Sequence, residues 1–415
     1  MKDKLAVLGG IPVRNNPFPA RKLIGEEERE AVNKLMDKCI NEGGAFDRYA
    51  GSIVDDYEKQ FAAYFGVKYA SAVSSGTASV HTALGALRIE PFSEVISAPI
   101  TDPGAVAPIL WMNCIPVFAD VEPDTYNMSA SSVEEKITDK TAAIIACHIG
   151  GDPCDIDGIM KVAAKHKIPV IEDFSQSHDA VYKGRKAGTI GDLGVVSLMS
   201  GKLHTAGGQG GMVITNNEEL YWNAKRFADR GKPFNSSEKT SLFLGINYRM
   251  TSLEAVIGMV QLKKLADIIK KRRAIADKLK DSIKGLKAIK FGKELPDAIS
   301  SRWFMVFKVD EKMLNASTND VVKAIGAENA SGAGMKYDNL IYEQKWIKER
   351  SAYGSTQFPW SSSEYGKKIV YEGSCPNAKK TIESHFVIFP SENWGDREIE
   401  DLKNILCKVE EAYLK

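Results

Sequence analysis

The sequence predicts an α/β protein: a large domain with a mostly parallel central sheet, followed by a smaller α+β domain. From about residue 66, short β-rich runs alternate with helical runs, a pattern typical of βα units. The β-rich runs are largely apolar, as expected for parallel strands that are buried on both faces. The 415 residues suffice for one large domain and one smaller domain.

The chain divides into three predicted parts. Residues 1–25, which are rich in glycine and proline, are expected to form an irregular arm over the body of the protein or over a partner subunit. Residues 26–265 form the predicted large domain, which begins with a helix over Glu26–Ile40. The helical stretch Leu253–Lys284 then carries the chain into the predicted smaller domain, residues 266–415.

The individual elements follow in chain order. The predicted strands of the large domain are Tyr69–Val73, Glu94–Ala98, Ile115–Phe118, Ala142–Cys147, Ile168–Glu172, Leu193–Leu198 and Gly211–Thr215. The predicted helices between them are Ala78–Leu87, Gly104–Met112 and Ile156–Lys165. The smaller domain is predicted to contain strands near Ser301–Val309 and His385–Phe389 and a helix over Asp396–Leu414. Residues 336–375 lack periodicity and are expected to form loops that border the active site.

The bulk properties favour a small-molecule ligand. A net charge of +1 gives no electrostatic reason to expect nucleic acid or an anionic membrane as a partner. No apolar run approaches the ~18 residues that span a bilayer. The six cysteines lack the spacing of a zinc site or a small disulfide scaffold. We therefore expect reduced thiols, no metal and a cytoplasmic protein.

Three polar motifs stand at predicted strand ends: Ser74–Thr77, Glu172–Gln176 and Ser197–Lys202. Gly76 and Thr77 open a helix directly after a strand. Backbone N–H groups and the helix dipole can hold a phosphate at such a position. A simple helix N-cap is the alternative interpretation of this motif.

Asp173 and Lys202 carry the predicted chemistry. Asp173 ends an apolar strand, at the position where α/β enzymes gather ligand-binding groups. A buried carboxylate there can keep the ring nitrogen of a bound heterocyclic ligand protonated. Lys202 lies among small residues, and desolvation there would lower its pKa and leave a neutral amine as the nucleophile. The alternatives are a strand-end capping acid and a solvated lysine.

With further segments, these motifs resemble the DegT/DnrJ/EryC1/StrS family of pyridoxal-phosphate sugar aminotransferases. The resemblance covers nearly the whole chain. It is carried by Leu8–Arg14, Ser75–Ala78, Pro116–Val121, Gly188–Asp192 and Gly245–Met250. It implies the fold type I architecture of aspartate aminotransferase, with pyridoxal phosphate as the cofactor.

The resemblance also implies roles for matching residues. Lys202 would carry the cofactor as a Schiff base and shuttle the substrate proton, Asp173 would face the ring nitrogen, and Gln176 would face the ring hydroxyl. The phosphate would be bound by Gly76, Thr77 and Ser197, and Ser75 would be a further cofactor-binding residue. Asn247 resembles a residue that family members lend across a dimer interface to the neighbour's phosphate, which implies an obligate homodimer with shared active sites.

Three positions depart from the family pattern. Asp102 stands where the family commonly places an aromatic residue that stacks on the cofactor ring, and an acid cannot stack. It remains a candidate site residue that hydrogen-bonds within the site, binds a polar substrate group, or is displaced by the turns at Pro99 and Pro103. Gln209 replaces a glutamate on the substrate side of the cofactor, and Leu198 replaces a phenylalanine as a packing change.

The candidate substrate contacts are His178, His204, Gln209, Arg249, Lys336 and Tyr337. The histidines are equally compatible with satisfied core residues. The resemblance implies ping-pong transfer of an amino group from glutamate or glutamine to a keto-sugar or keto-cyclitol, in amino-sugar, polysaccharide or natural-product biosynthesis. A sugar dehydratase or other eliminating enzyme and a non-catalytic protein that binds pyridoxal phosphate remain alternatives. A dinucleotide-binding dehydrogenase is disfavoured because no Gly-x-Gly-x-x-Gly follows the first strand.

Overall fold

The computed structural model describes residues 4–43, 45–46, 51–330 and 334–415, so the arm is described from residue 4 onward. Its α-helices are α1 (Glu26–Glu42), α2 (Ser52–Phe65), α3 (Gly76–Leu87), α4 (Ala107–Trp111), α5 (Ala130–Lys136), α6 (Ile156–His166), α7 (Glu218–Phe227), α8 (Ser252–Ser282), α9 (Thr318–Ala327), α10 (Lys345–Lys348), α11 (Pro376–Ser384) and α12 (Asp396–Tyr413). Its strands are β1 (Tyr69–Val73), β2 (Glu94–Ser97), β3 (Ile115–Phe118), β4 (Thr141–Cys147), β5 (Val170–Asp173), β6 (Val181–Tyr182), β7 (Arg185–Lys186), β8 (Leu193–Ser197), β9 (Gly211–Thr215), β10 (Ile289–Phe291), β11 (Ala298–Ile299), β12 (Met305–Val309) and β13 (His385–Ile388).

A seven-stranded sheet forms the centre of the molecule, in the order β1-β9-β8-β5-β4-β2-β3. The β3–β2, β2–β4, β4–β5 and β5–β8 pairs are parallel, whereas β9 is antiparallel to both β8 and β1. This confirms the predicted mostly parallel sheet. Because β9 alone is reversed, β1, β5 and β8 run in the same direction and their carboxyl ends share one edge, where ligands bind in open α/β sheets.

The apolar strand sequences are explained by burial on both faces of this sheet. All residues of β2, β3, β5 and β9 are buried, and β4 is buried from Ala143 to Cys147. Helix α3 packs against β8, β9 and α7. Strand interiors buried in this way favour apolar residues, so polar site groups are expected at the strand ends.

Helix α8 leads from the sheet to a second hydrophobic core. Its first turn is fixed by a capping box, in which Thr251 Oγ1 accepts a hydrogen bond from Glu254 N and Glu254 Oε2 accepts one from Thr251 N. Leu265 packs with residues of α2, whereas Leu279 packs in the second core with the antiparallel sheet β10-β12-β13 and with α12. Strands β12 and β13 and helix α12 confirm the elements that the sequence predicted there.

Two regions differ from their sequence predictions. The predicted helix over Gly104–Met112 is reduced to a 3₁₀ turn and the short α4, because Pro108 lacks the N–H group that a continuous helix needs at this position. The segment 336–375 is largely irregular, as predicted, but it packs against the hydrophobic core around the seven-stranded sheet. There Tyr365 OH donates to Glu94 Oε1 at 2.9 Å and Tyr371 OH donates to Pro116 O at 2.8 Å. The domain boundary at residue 265 stays a prediction.

The arm lies on the second core. Leu5 is buried within it, Arg14 Nη1 donates to Asp401 Oδ2 at 2.5 Å, and Trp394 Nε1 donates to Pro19 O at 3.3 Å. Contact of the arm with a partner subunit stays a prediction. Within the described ranges, no helix has both the length and the apolar character that a membrane crossing requires.

Candidate active site

A cavity of about 160 Å³ lies where the carboxyl ends of β1, β5 and β8 meet. The structure brings nine of the predicted site residues together around it: Ser75, Gly76, Thr77, Asp102, Asp173, Gln176, Ser197, Lys202 and Gln209. The other lining residues are Val80, Thr101, Gly104, Ala105, Cys147, His148, Ile149, Ser175 and Met199. The clustering follows from the sheet topology, because the three polar motifs stand at the ends of strands that point the same way.

One wall of the cavity is the start of helix α3. Ser75 is the N-cap: its Oγ accepts from Ala78 N at 3.0 Å and its carbonyl accepts from Ser79 N at 3.0 Å. Gly76 and Thr77 are the first two helical residues, whose N–H groups have no acceptor within a helix. These N–H groups and the positive end of the helix dipole suit an anion such as a phosphate.

The glycine at position 76 is required by the packing of this wall. A Cβ added to Gly76 would lie 2.5 Å from the Cβ of Ser197, the last residue of β8. No real side chain tolerates that separation, so only glycine lets α3 begin so close to β8. The same contact brings the Ser197 hydroxyl next to the start of the helix.

Asp173 forms the buried end of the cavity. Its Oδ1 accepts from Ser175 N at 2.9 Å, and the residue is 8% exposed. Burial raises the pKa of Asp173, and the hydrogen bond from Ser175 and the charge of Lys202 only partly offset this effect. A protonated ring nitrogen placed beside this carboxylate would supply the positive partner that burial in this site favours.

Lys202 faces the same cavity. Its side chain is almost fully buried, and its Nζ lies 4.4 Å from the centroid of the Trp303 ring. Burial lowers the pKa of Lys202, and the carboxylates of Asp173 and Asp102 oppose that shift without cancelling it. A lowered pKa is what a lysine needs to present a neutral amine as a nucleophile.

Gln176 is held from two directions. Its Oε1 accepts from Gly150 N at 3.0 Å, and its Nε2 donates to Tyr337 OH at 2.7 Å. The second Nε2 hydrogen of Gln176 remains for a ligand in the cavity. Tyr337 therefore contacts a cavity-lining residue, although it does not itself line the cavity.

Asp102 lines the cavity and is not displaced from it by the flanking prolines. Its Oδ1 accepts from Gly104 N at 2.8 Å, so the carboxylate also caps the following 3₁₀ turn. Asn339 Nδ2 donates to the carbonyl of the preceding Thr101 at 2.7 Å, which fixes this loop to the segment that carries Tyr337. The Asp102 carboxylate therefore has a fixed place in the cavity wall.

Glu172 and His148 form a buried support behind the cavity. His148 Nε2 donates to Glu172 Oε2 at 2.9 Å, and its Nδ1 accepts from Cys154 N at 3.1 Å. Glu172 also accepts from the backbone N–H groups of Gly188, Ile190 and Gly191. This carboxylate thus fixes the Gly188–Asp192 segment, which sequence reasoning singled out without explaining it.

Several predicted substrate contacts do not line this cavity, and their contact with a substrate stays a prediction. His204 is fully buried, and its Nε2 contacts Gly258 O at 2.9 Å and Tyr57 OH at 3.1 Å. His178 is also fully buried, and its Nε2 donates to Ser197 O at 3.0 Å, so it supports Ser197 from behind. Lys336 Nζ donates to Glu383 O at 2.8 Å.

Asn247 and Arg249 line a second, larger cavity of about 770 Å³, which also borders Tyr69, Tyr221 and Lys225. Arg249 pairs there with Asp229. Neither residue lines the cavity around Lys202 of its own chain.

Some contacts of the site were not anticipated from the sequence. Met199 lies within a motif, Thr101 precedes Asp102, and Cys147 and Ile149 lie at or just beyond the end of the predicted strand Ala142–Cys147, so their positions along the chain were a usable signal. Trp303 and Arg21 contact the Lys202 turn from about 100 and 180 residues away along the chain. No local pattern marks them, because their place depends on how α8 and the arm return to the sheet.

Comparison with known proteins agrees with this geometry. Residues 23–375 match the DegT/DnrJ/EryC1/StrS aminotransferase family. The chain is 36% identical over 279 residues to GDP-perosamine synthase of Escherichia coli O157:H7, covering 67% of this chain and 74% of that protein. It is 31% identical over 372 residues to a putative L-glutamine:3-amino-2,3-dideoxy-scyllo-inosose aminotransferase of Micromonospora echinospora, covering 89% and 87%. The X-ray structure of an aminotransferase from Psychrobacter cryohalolentis aligns with a TM-score of 0.81 at 28% identity, covering 95% of this chain and 98% of that one.

Proposed function

The chain belongs to the DegT/DnrJ/EryC1/StrS aminotransferase family of pyridoxal-phosphate enzymes, and from this premise we propose that it transfers an amino group from glutamate or glutamine to a keto-sugar or keto-cyclitol. The observation that carries the proposal is one cavity flanked by a buried lysine, a buried carboxylate and a helix start suited to a phosphate. The relatives named as perosamine synthase and scyllo-inosose aminotransferase support a sugar or cyclitol acceptor.

The residues present suit the cofactor. The Gly76 and Thr77 N–H groups and the Ser197 hydroxyl would hold the phosphate, and Asp173 would face the ring nitrogen. Gln176 Nε2 would donate to the ring hydroxyl. Lys202 Nζ would carry the cofactor covalently.

The chemistry divides between the cofactor and the chain. When bound, pyridoxal phosphate supplies an electron sink for the negative charge that develops at the reacting carbon. Lys202 Nζ would take the α-proton of the donor in the first half-reaction and deliver a proton to the acceptor carbon in the second. Burial supports both steps, because a lowered pKa brings the neutral and protonated amine closer in free energy.

We further propose a homodimer with shared active sites, in which Asn247 acts in the neighbouring subunit. Asn247 lines the cavity of about 770 Å³ and not the cavity of its own Lys202. Beside it in the chain, Leu244 is 91% exposed, and Leu242 and Ile246 are also exposed, an apolar surface that a second copy would cover.

The dimer proposal is tested by mixing two inactive variants, Lys202→Ala and Asn247→Ala, through co-expression with different affinity tags. If Asn247 acts in trans, the mixed dimer contains one site with both residues intact, and about half of the wild-type activity per dimer returns. If Asn247 acts within its own chain, the mixed dimer stays inactive. A monomer in light scattering at micromolar concentration would overturn the proposal directly.

A second candidate function, elimination from a sugar, is favoured by Asp102 and Gln209, which both line the cavity and both depart from the family pattern. Stoichiometry separates the two. Amino transfer consumes one donor for each product, whereas elimination releases water or ammonia without net amino transfer. A chain that binds the cofactor and converts neither substrate would be the non-catalytic alternative.

The first experiment is an absorbance spectrum of the purified protein with pyridoxal phosphate, before and after adding L-glutamate or L-glutamine. We expect a visible band of the lysine-bound cofactor that either donor removes and a keto-sugar restores. Lys202→Ala should not form this band. A wild-type protein that shows no band after added cofactor would overturn the assignment.

A further inference from the structure

The amine of Lys202 rests on an aromatic ring that sequence reasoning did not connect with it. Nζ lies 4.4 Å from the centroid of Trp303, well inside the roughly 6 Å within which a cation is attracted to a π face. Lys202 is 7% exposed, so water screens this attraction only weakly.

Trp303 is itself fixed at both its indole and its backbone. The indole Nε1 donates to Gly201 O at 3.3 Å, and the carbonyl of Trp303 accepts from Arg272 Nη1 at 3.1 Å. The ring packs edge-on against Phe389, with 5.4 Å between centroids. The π face beneath Nζ is therefore held in place.

The turn that carries Lys202 is also held by the arm. Arg21 Nη1 donates to Lys202 O at 2.8 Å and to Gly201 O at 3.3 Å. Glu392 accepts from Arg21 Nε at 3.1 Å and from Arg272 Nε at 3.0 Å. Arg21, Arg272, Trp303 and Glu392 thus form a closed chain of contacts around the Lys202 turn, here named the lysine clamp.

We propose that Trp303 is a positioning residue that holds the free amine of Lys202 during the part of the reaction in which this amine is not bonded to the cofactor. The inference rests on the proposed function of Lys202. A freed lysine side chain has several rotatable bonds, and ordering it costs entropy each time it must react again. A π face at the end of its reach limits that loss.

A tryptophan suits this task better than a carboxylate would. An ion pair in a buried site would hold the ammonium and retain its proton, because the charge attraction there is strong. A π face attracts the ammonium more weakly, and the neutral amine can also rest against it. The amine is therefore held close to the cavity while it remains able to give up its proton.

Other charged groups also act on Lys202 and set the expected direction of the test. The Asp173 and Asp102 carboxylates favour the ammonium, whereas burial disfavours it. The positive charges of Lys202 and Arg21 in turn help to lower the pKa of the buried His178. Trp303 acts in the same direction as the carboxylates, so removing its ring should lower the pKa of the Lys202 amine further.

The test is the pH dependence of the rate at which apoprotein recombines with pyridoxal phosphate, followed by the absorbance of the lysine-bound cofactor. Only the neutral amine reacts, so the acid limb of the profile reports the amine pKa. For Trp303→Leu we expect that limb to move by about one unit to lower pH, and for Trp303→Phe by less. With L-glutamate, Trp303→Leu should lower kcat and leave KM within about twofold, because Trp303 is not placed to bind the donor.

An isosteric series keeps the test decisive if Trp303→Leu does not fold. Tryptophans with one to four ring fluorines, inserted at position 303 alone, preserve shape and progressively weaken the π face. The apparent pKa should fall stepwise along the series. An unchanged pKa across the series would overturn the role of Trp303 while leaving the proposed function intact. A Lys202→Ala protein that recombined like wild type would instead overturn the proposed function.

Discussion

Two groups of residues meet around Lys202, and they are built in different ways. The strand-end group, Ser75–Thr77, Asp173–Gln176 and Ser197–Lys202, lines the cavity from the carboxyl ends of β1, β5 and β8. The remote group, Arg21, Trp303, Tyr337 and Glu392, does not line the cavity. Arg21, Trp303 and Tyr337 contact its lining residues from other parts of the chain, and Glu392 holds Arg21. The side chains of the strand-end group would meet the cofactor and the substrate, and the remote group holds these side chains in position.

The difference predicts different consequences of mutation. A change in the strand-end group removes a group that meets the cofactor, so it should appear in rate or in cofactor affinity. A change in the remote group acts through a neighbour, so it should appear in stability, as a modest change in affinity or, for Trp303, in the pKa of Lys202 and in kcat. Each of the following experiments would sharpen or break this division.

The largest effect is expected for Asp173→Asn. Asparagine keeps the shape but removes the only proposed negative partner of the ring nitrogen, so kcat should fall by roughly 10²- to 10³-fold, the scale seen when one preorganised electrostatic group is lost. Because the change is isosteric, the thermal midpoint should shift little. The measurement is the rate of donor-driven bleaching of the cofactor band in a stopped-flow instrument.

Asp102→Asn is the matched control. It removes the same charge from the same cavity, but the carboxylate of Asp102 caps its own turn through Gly104 N, and an asparagine oxygen can accept that bond as well. We expect a loss of under about tenfold. Equal losses in the two variants would mean that Asp102, and not Asp173 alone, supplies the charge that the reaction requires.

The strand-end group could be predicted from sequence for a physical reason. Asp173 and Lys202 follow apolar runs that must be parallel strands, and parallel strands in one sheet bring their carboxyl ends together. The alignment of β5 and β8 can be expected without knowledge of any contact to a distant part of the chain. The sequence left His178 and His204 open between substrate contact and core residue, because a motif gives a residue's position along the chain and not the face on which its side chain lies.

The contacts of the remote group could not be predicted in this way, although Tyr337 was named as a candidate site residue from its position in the loop segment. Arg21 and Glu392 pair across 371 positions, and Tyr337 reaches Gln176 across 161. Each of these residues has the appearance of an ordinary arginine, glutamate or tyrosine in a polar stretch. Their meeting depends on the full path of α8, the arm and the irregular segment 336–375, which no local periodicity encodes.

The next largest effect is expected for Glu392→Gln, in stability. Glu392 stands between the guanidinium groups of Arg21 and Arg272, and Glu392→Gln takes from two largely buried cations the negative charge that both of them contact. Breaking such a group costs about 3 kcal/mol. The measurement is the urea midpoint of unfolding. Asp267→Asn breaks the exposed Asp267–Lys271 pair and should change stability by under about 0.5 kcal/mol.

The effect of Glu392 should depend on pH in a defined direction. Burial would raise the pKa of Glu392, but the charges of Arg272 and Arg21 outweigh burial and lower it. A carboxylate with a lowered folded pKa contributes stability above its unfolded pKa, near 4.3, and loses it as pH falls through the folded value. The stability difference between wild type and Glu392→Gln should therefore be full at pH 7 and shrink below about pH 4. A constant difference down to pH 3 would assign the effect to packing.

A smaller effect is expected for Gly76→Ala, in cofactor affinity. The new Cβ would lie 2.5 Å from the Cβ of Ser197, so the start of α3 must move away from β8. That movement displaces the N–H groups proposed for the phosphate, and loss of one good hydrogen bond to a charged group corresponds to about tenfold in Kd. Equilibrium titration with pyridoxal phosphate measures it. Gly326→Ala in α9, where an added Cβ meets no atom within 4 Å, should leave the affinity unchanged.

The smallest effect is expected for Tyr337→Phe, and it tests whether the remote group acts only through its neighbours. Loss of the hydroxyl leaves Gln176 Nε2 without its 2.7 Å contact, while Gly150 N still holds Gln176 Oε1. The Gln176 amide should tilt but stay in the cavity wall. We expect cofactor binding to weaken by about 1 kcal/mol, or roughly fivefold in Kd, and the cofactor band to shift.

Tyr126→Phe is the matched control. Its ring packs edge-on against Tyr337 at 6.0 Å between centroids, and among the described residues its buried hydroxyl has no hydrogen-bond partner. That variant should leave both Kd and spectrum unchanged. If instead Tyr337→Phe cost as much as Asp173→Asn, Tyr337 would meet the reacting groups directly, and the division between the two groups would fail at this residue.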